Sequence, residues 1–223
     1  MPELTLKKFY FRRAAQMPDQ YKTSRFGLIR HAQTVWNREK KIQGLRDSPL
    51  TAEGENQAAN WGQIIAQFSW DRILASDAGR ALATAGIINA FLKIPLTTDS
   101  RLQEQNWGQW EGMTVRQIET DARQVLNEQI NAGWDFCPPG GESRLAVLKR
   151  SRAALLDAAQ RYPGETILVV CHEGVVKSLI YDLYSRKFLP DEPAILKPYQ
   201  LHRLVNGSNG LQIERINALE LGP

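Results

Sequence analysis

The sequence is poor in features that mark several classes of protein. It has two cysteines, Cys137 and Cys171, and neither lies in a metal-type pair, so a disulfide scaffold or a zinc site is not expected. No apolar run approaches the ~18 residues that a membrane-spanning helix needs. The first residues lack the continuous apolar segment of a secretory signal. We therefore expect a cytoplasmic protein that has no membrane partner.

An excess of one charge is also missing from most of the chain. The net charge of +4 arises from 28 basic and 24 acidic residues. Residues 1–25 alone contain six basic and two acidic side chains, so the remainder is neutral. This distribution argues against a nucleic-acid partner. We interpret residues 1–24 as a basic N-terminal extension, either solvated or in contact with a partner, and residues 25–223 as one domain.

The composition that remains is ordinary for a globular domain, with 43% hydrophobic and 23% charged residues in 223. Strands are predicted at 25–30, 72–75 and 166–171, with weaker ones at 201–205 and 212–216. Helices are predicted after Thr51 and Thr114, and over 80–92, 143–162 and 174–184. This alternation favours a three-layer α/β/α sandwich with a mostly parallel central sheet, in which ligands bind beyond the carboxyl ends of the strands.

Two of the three histidines occupy equivalent places in this pattern. His31 ends the first predicted strand and His172 ends the most apolar one, whereas His202 has no such context and is interpreted as structural. The carboxyl ends of parallel strands meet at one edge of a sheet, so the imidazoles of His31 and His172 are expected to converge. A lone histidine is usually structural, and it is the pairing that points to function.

Two arginines at the same predicted edge indicate an anion site. Arg30 precedes His31, and Arg80 opens the helix that follows the second strand. A guanidinium binds phosphate oxygens through paired, charge-assisted donors and keeps its charge when partly buried. A carboxyl beside such oxygens has a raised pKa, which suits general-acid catalysis. Glu104 is the candidate for this group and Glu111 is its rival, because spacing alone does not choose between them.

Five segments between Phe26 and Asn209 resemble, in order, the motifs of the histidine phosphatase superfamily, also called phosphoglycerate-mutase-like. They are Leu28–Asn37 (LIRHAQTVWN), Ser76–Ala85 (SDAGRALATA), Glu104 with the following Gly108 and Trp110-Glu-Gly112, Pro139–Ser143 (PGGES) and Cys171–Gly174 (CHEG). The resemblance implies a phosphoglycerate-mutase-like fold and a phosphatase. The predicted domain 25–223 is then a histidine-phosphatase-like catalytic domain.

The resemblance also implies roles for individual residues. His31 is the expected nucleophile, which becomes phosphohistidine. Arg30, Arg80 and His172 are expected to bind the phosphoryl oxygens, and Glu104 to protonate the leaving oxygen. The cations are then side chains, so no metal ion or other cofactor is expected. The expected partner is a small phosphorylated substrate, and a homodimer is compatible with the sequence.

Further substrate contacts are expected from residues beside these five: Asn37, Gln43, Gly44, Glu173 and Gly174. Two positions depart from the family pattern. Ala32 stands where glycine is usual, so the backbone there must suit alanine. Glu173 also replaces the commoner glycine, and its carboxylate is expected to alter substrate preference or weaken phosphate binding.

Two alternatives to a phosphatase stay open. A mutase would pass the phosphoryl group to another hydroxyl, but such relatives carry a longer insertion than the 38 positions that separate Glu104 from Glu142 here. The second alternative is a non-catalytic domain that binds phosphorylated ligands. Four aromatic side chains near these motifs are interpreted as core, or else as an apolar wall beside the site: Trp107, Trp110, Trp134 and Phe136. The natural substrate cannot be read from the sequence.

Overall fold

Six strands and seven helices form over residues 22–223, the part of the chain that the computed structural model describes. The strands are β1 (Ser24–Arg30), β2 (Arg72–Ala75), β3 (Leu96–Thr98), β4 (Thr166–Cys171), β5 (Gln200–Gly207) and β6 (Gly210–Glu220). The helices are α1 (Val35–Arg38), α2 (Ala52–Ile65), α3 (Gly79–Leu92), α4 (Val115–Asp121), α5 (Arg123–Asn131), α6 (Arg144–Arg161) and α7 (Glu173–Leu183). The predicted extension, 1–24, lies outside the described residues except for its last three, and β1 already begins at Ser24.

Local capping signals set the starts of three of the predicted helices. The Thr51 side chain accepts a hydrogen bond from the backbone N–H of Gly54 at the start of α2. Thr114 and Gln117 form a reciprocal capping box at α4, and Ser143 caps α6. A side-chain oxygen at this position satisfies one of the N–H groups that the first helical turn leaves unpaired. These three helices begin where the sequence predicts.

The strands form one sheet in the order β3-β2-β4-β1-β5-β6. The pairs β3–β2, β2–β4 and β4–β1 are parallel, whereas β5 and β6 join antiparallel at the β1 edge. Parallel pairing places the carboxyl ends of β1, β2 and β4 at the same edge of the sheet. The predicted fold, a three-layer α/β/α sandwich with a mostly parallel central sheet, is confirmed.

Alternation along the central strands divides the apolar core between the two faces. Leu28 packs with residues of α6 and α7 on one face, and its neighbour Ile29 packs with α2 and α3 on the other. In β4, Val169 and Val170 divide in the same way. Strands that are buried on both faces read as continuous apolar runs, which is why the sequence predicts strands at β1 and β4.

Three elements lie outside the predicted set. β3 has three residues and α1 four, too few for periodicity to show, and α5 buries only Leu126. The N-cap of α3 is Ala78, which makes no side-chain capping bond, and the hydroxyl of Ser76 lies beside His172. No helix within residues 22–223 is long and apolar enough to cross a membrane.

Candidate active site

The sheet brings the two strand-end histidines together. β1 and β4 are hydrogen-bonded neighbours with Arg30 opposite Cys171, and the backbone N–H of His31 donates to the carbonyl of Cys171 at 2.9 Å. The ring centroids of His31 and His172 are 5.3 Å apart at an interplanar angle of 61°. Both side chains are buried. The predicted convergence of the two imidazoles is therefore present in the structure.

The hydrogen bonds of His31 define which nitrogen is free of a proton. Nδ1 lies 2.8 Å from the carbonyl oxygen of Ala32, which can only accept, so Nδ1 carries the hydrogen. Nε2 then holds a lone pair and accepts from Nε of Arg80 at 3.3 Å. Burial, followed by the charges of Arg30 and Arg80, holds the pKa of His31 well below its usual value. Neutral His31 thus presents an unprotonated Nε2.

Ala32 supports this arrangement despite replacing the usual glycine. Its carbonyl orients the ring of His31, and its N–H donates to Oγ1 of Thr84 at 3.0 Å. Six non-glycine residues among those described have a positive φ, and Ala32 is not one of them. Alanine therefore fits this backbone without strain.

Arg80 is enclosed by the loop that precedes α2. Its side chain is 1% exposed and forms an ion pair with Asp47 at 2.9 Å. It also donates to the carbonyls of Arg46 and Gly44 at 3.0 and 2.8 Å. Gly44 has φ = +58°, and a Cβ there would overlap the carboxylate of Glu111. The loop is thus closed around a guanidinium that faces His31.

His172 has one nitrogen in use and one without a protein partner. Nε2 lies 2.9 Å from Oγ of Ser76, whereas the fully buried Nδ1 has no hydrogen-bond partner within residues 22–223. Burial, together with the neighbouring His31 and Arg80, lowers the pKa of His172 well below its usual value. A buried polar atom without a partner is costly, so a ligand that supplied one would gain by doing so.

The structure separates the two carboxyl candidates. Glu104 lines the cleft, and its oxygens accept from the backbone N–H groups of Gln105 at 2.8 Å and Gly174 at 3.3 Å. Burial raises its pKa. Glu111 instead accepts from the backbone N–H groups of Leu45 and Trp107, which fixes the 43–46 loop. Of the two candidates, Glu104 is therefore the one that lines the cleft.

The position of Glu104 depends on an arginine that sequence analysis missed. Arg150, on α6, donates to the carbonyls of Arg101, Gln103 and Glu104 at 2.7, 2.6 and 2.9 Å. Its guanidinium is held in turn by both carboxylate oxygens of Glu142, at 2.8 and 2.9 Å. A planar fork suits this shared recognition, whereas a lysine does not. No local pattern in the sequence of α6 marks Arg150, because its partners lie 8 to 49 positions away.

Glu173 forms a chain of charges at the mouth of the cleft. Its two oxygens lie 2.7 Å from Nη1 of Arg30 and 2.6 Å from Nζ of Lys177. Burial acts to raise the pKa of Glu173, but Arg30 and Lys177 outweigh it and the pKa is lowered. Glu173 therefore forms an ion pair with Arg30, the arginine that is predicted to bind phosphate. Competition between this carboxylate and phosphate for Arg30 is the way in which Glu173 is expected to weaken phosphate binding.

All ten predicted site residues lie in one region. Nine of them line a cleft of about 320 Å³, namely Arg30, His31, Asn37, Gln43, Gly44, Arg80, Glu104, Glu173 and Gly174. His172 lies against His31 below it. Oδ1 of Asn37 accepts from the backbone N–H of Thr34 in the capping box of α1, which leaves the amide NH₂ of Asn37 for the cleft. The buried Oε1 of Gln43 has no hydrogen-bond partner within the described chain. Their roles stay predictions.

The four aromatic residues were expected either in the core or in an apolar wall beside the site, and both locations occur. Trp110 and Phe136 are buried in a small core cluster, as interpreted from the sequence. Trp107 packs on that cluster and also lines the cleft, so it forms part of an apolar wall. Trp134 packs against Phe188 with ring centroids 4.9 Å apart. His202 is buried and accepts from the backbone N–H of Asn217 through Nδ1, in keeping with a structural role.

Comparison with known proteins gives a consistent result. The sequence model of the histidine phosphatase superfamily (branch 1) matches residues 26–218. A Bacillus subtilis (strain 168) protein described as uncharacterized phosphatase PhoE is 33% identical over 156 residues, which are 70% of this chain and 75% of that protein. A Salmonella choleraesuis protein described as probable phosphoglycerate mutase GpmB is 37% identical over 145 residues, 65% of this chain and 67% of that protein.

A solved structure agrees with these relatives. Bacillus stearothermophilus YhfR superimposes with a TM-score of 0.81 at 28% identity, over 89% of this chain and 98% of that one. The predicted family is confirmed, and with it the prediction of an enzyme of the phosphatase type. The order of the sequence motifs, the topology of the sheet and the match to the family model all indicate the same family. The chain belongs to the histidine phosphatase superfamily, branch 1.

Proposed function

We propose that the protein is a metal-independent phosphomonoesterase that acts on a small phosphorylated metabolite through a phosphohistidine intermediate. The observation that carries this proposal is the unprotonated Nε2 of His31, which lies in a cleft beside Arg80 and is flanked by Arg30 and His172. A neutral nucleophile among cations suits attack on a phosphate dianion, whose charge the cations offset.

In the first step, the lone pair of His31 Nε2 forms a bond to phosphorus while the bond to the ester oxygen breaks. Nδ1 keeps its proton and its bond to the carbonyl of Ala32, which stabilises the resulting cationic ring. Arg30 and Arg80 bind the phosphoryl oxygens with their N–H groups. A phosphoryl oxygen within reach of His172 Nδ1 would also provide the missing partner of that nitrogen.

Glu104 supplies and then recovers the proton. Its raised pKa favours the protonated form that can donate to the departing alkoxide. The carboxylate so formed then takes a proton from water as that water attacks the phosphohistidine. The products are the alcohol and inorganic phosphate, with His31 and Glu104 returned to their starting states.

Rapid quenching tests this mechanism directly. The protein is mixed with a ³²P-labelled ester and quenched in alkali within the first turnover. We expect label on the protein in a bond that is stable to alkali and lost in acid, and located at His31 by mass spectrometry. Turnover without any labelled protein would contradict the proposal. An ester that binds but is neither cleaved nor attached to the protein would favour the non-catalytic alternative.

A mutase is the second candidate, because relatives at 37% identity are described as probable phosphoglycerate mutases. The 38 positions between Glu104 and Glu142 support the phosphatase. The two activities differ in the acceptor of the phosphoryl group. We expect release of inorganic phosphate from an aryl ester without bisphosphoglycerate, whereas a mutase would release little and would interconvert phosphoglycerate isomers.

Removing the carboxylate of Glu173 is expected to strengthen phosphate binding. In Glu173→Gln, Arg30 loses its ion-pair partner and becomes available to the ligand. The pair is about half exposed, so the inhibition constant of inorganic phosphate should fall only about two- to fivefold. Glu119→Gln removes an exposed carboxylate outside the cleft and is the matched control. An unchanged or higher inhibition constant in Glu173→Gln would contradict this role for Glu173.

Activity is expected to persist in excess EDTA. The proposed site supplies its positive charge through Arg30 and Arg80, and the described residues contain no cluster of three His, Cys, Asp or Glu side chains that could hold an ion. Initial rates on an aryl phosphate are measured before and after dialysis against the chelator. Loss of activity that added Mg²⁺ restores would show that the mechanism above is wrong.

A further inference from the structure

Arg144 stands apart from the other basic side chains of the cleft. Four of these have a carboxylate within ion-pair distance: Arg30 and Lys177 share Glu173, Arg80 has Asp47 and Lys41 has Glu39. Arg144 also lines the cleft, and no carboxylate within residues 22–223 pairs with it. A partly buried cation without a counter-charge requires an explanation.

The guanidinium of Arg144 is fixed in place but only half used. It lies between the rings of Phe136 and Phe188, with its central carbon 4.1 and 4.4 Å from their centroids. Nη1 donates to the carbonyls of Gly133 and Phe188 at 3.0 and 3.3 Å. Nε and Nη2 have no acceptor within the described chain, and neither is sealed from solvent. These two donors form the side of the fork that matches a carboxylate or phosphate.

The charge on Arg144 is placed where the protein disfavours it. Arg144 is the first residue of α6, an 18-residue helix, and a helix N-terminus favours anions over cations. Burial lowers the pKa of Arg144 to about 10, so the group remains a cation at neutral pH. An anion bound to Nε and Nη2 would offset both effects. Bracing two backbone segments explains Nη1 but gives no use for the rest of the fork.

The location of Arg144 selects the part of the substrate that it would meet. The leaving oxygen must depart beside Glu104, and Glu104 and Arg144 line the same cleft. A second, larger cavity of about 490 Å³ opens past Arg30 and Glu173, but Glu104 does not line it. The alcohol part of the ester is therefore directed towards Arg144.

We propose that Arg144 binds a second anionic group, a carboxylate or a phosphate, on the leaving alcohol. The preferred substrates are then phosphate monoesters of alcohols that carry a negative charge. This inference rests on the proposed phosphatase function. It names a binding residue for the leaving group and is independent of which groups hold the phosphoryl group that is transferred.

Matched esters test the proposal. They are 3-phosphooxypropanoate, propane-1,3-diol monophosphate and propane-1,3-diol bisphosphate, with their two- and four-carbon homologues. The three differ only in the group at the far end, which is a carboxylate, a hydroxyl or a phosphate. We expect kcat/KM for at least one anionic ester to exceed that of the hydroxyl ester by about 10- to 100-fold, the range for a hydrogen bond between charged groups. The preferred end group identifies the anion.

Two variants of Arg144 and a control assign the preference. Arg144→Met keeps an apolar stem between the two phenylalanines and should abolish the preference, with the hydroxyl ester little affected. Arg144→Lys should restore part of it. Arg152→Met removes the same charge from the same helix, where Arg152 pairs with Asp182 outside the cleft, and should keep the preference. The inhibition constant of inorganic phosphate reports whether the phosphoryl pocket of each variant is intact.

Three results would overturn the inference. One is equal loss for charged and uncharged esters in Arg144→Met, which would make Arg144 a brace only. Another is a wild-type enzyme that hydrolyses all the esters without preference at any chain length. The third is the absence of both turnover and labelled protein with every ester, which would overturn the proposed function as well and is thereby distinguishable from the first two.

Discussion

Replacing His31 by alanine is expected to reduce ester hydrolysis by about 10³-fold or more, with the fold retained. The variant removes the nitrogen that accepts from Nε of Arg80 in the cleft, which is also the atom that forms the bond to phosphorus. His31 directly follows β1, which lies between β4 and β5 in the sheet. Circular dichroism and thermal unfolding should therefore show a folded protein. Steady-state rates and alkaline quenching with labelled ester measure the loss.

The other two histidines provide controls for His31→Ala. His172→Ala should lower the rate yet still form labelled protein, because His172 binds the phosphoryl group without bonding to phosphorus. His202→Ala removes a buried histidine away from Glu104 and should retain labelling. If His31→Ala retained label, and the label were found on His172, the two imidazoles would have to exchange roles.

Replacing Glu104 by glutamine is expected to slow alkyl esters about 10²- to 10⁴-fold more than aryl esters, the usual range for proton transfer by a positioned acid. An aryl phosphate departs as a weakly basic phenolate and gains little from a donor, whereas an alkoxide needs one. Glutamine preserves the size of the side chain, and its single amide oxygen can replace one of the two carboxylate oxygens that accept from the N–H groups of Gln105 and Gly174. The measurement is kcat/KM over a series of leaving groups.

The pH profile gives a second and independent readout. Burial raises the pKa of Glu104, and the protonated form is the active one, so kcat/KM should fall as the pH rises through that pKa. Glutamine does not titrate, so the variant should lose this alkaline limb. The acid limb reports the neutral form of His31, whose pKa is lowered, and should lie below the usual histidine range in both proteins.

Glu111→Gln is the matched control for Glu104→Gln. Glu111 binds backbone N–H groups in the loop around Arg80, so its loss should affect all esters by a similar factor and leave the alkaline limb in place. Equal slowing of aryl and alkyl esters in Glu104→Gln, with an unchanged profile, would make Glu104 a positioning residue. Glu173 would then be the next carboxyl to test as the acid.

The sheet and the convergence of the histidines follow from short-range signals. The apolar runs of β1 and β4 and the caps of α2, α4 and α6 are local, and the carboxyl-edge rule then joins residues that are far apart in sequence. Glu104 was harder to assign, because nothing local distinguishes it from Glu111. Only the structure shows that Glu111 is occupied by Leu45 and Trp107.

Other parts of the site depend on contacts that have no local signature. Arg150 acts on carbonyls of a distant loop, and carbonyls carry no residue identity that a sequence could display. Arg144 differs from the other basic residues of the cleft because no carboxylate of the described chain pairs with it. This difference can be recognised only when all the neighbours of Arg144 are known. The three-residue β3 and the polar helix α5 were missed for a different reason. Too few of their residues are buried to give the sequence a regular alternation of apolar and polar residues.

The pairing of β1 with β4 affects how heat acts on nucleophilic attack by His31 and on proton donation by Glu104. The separation of His31 and His172 is set by adjacent strands at the centre of the sheet, so the amides there should exchange with deuterium only on global opening. Glu104 lies outside the strands and is held through Arg150, so local opening can displace it earlier. On heating, the hydrolysis of alkyl esters should therefore decline before that of aryl esters.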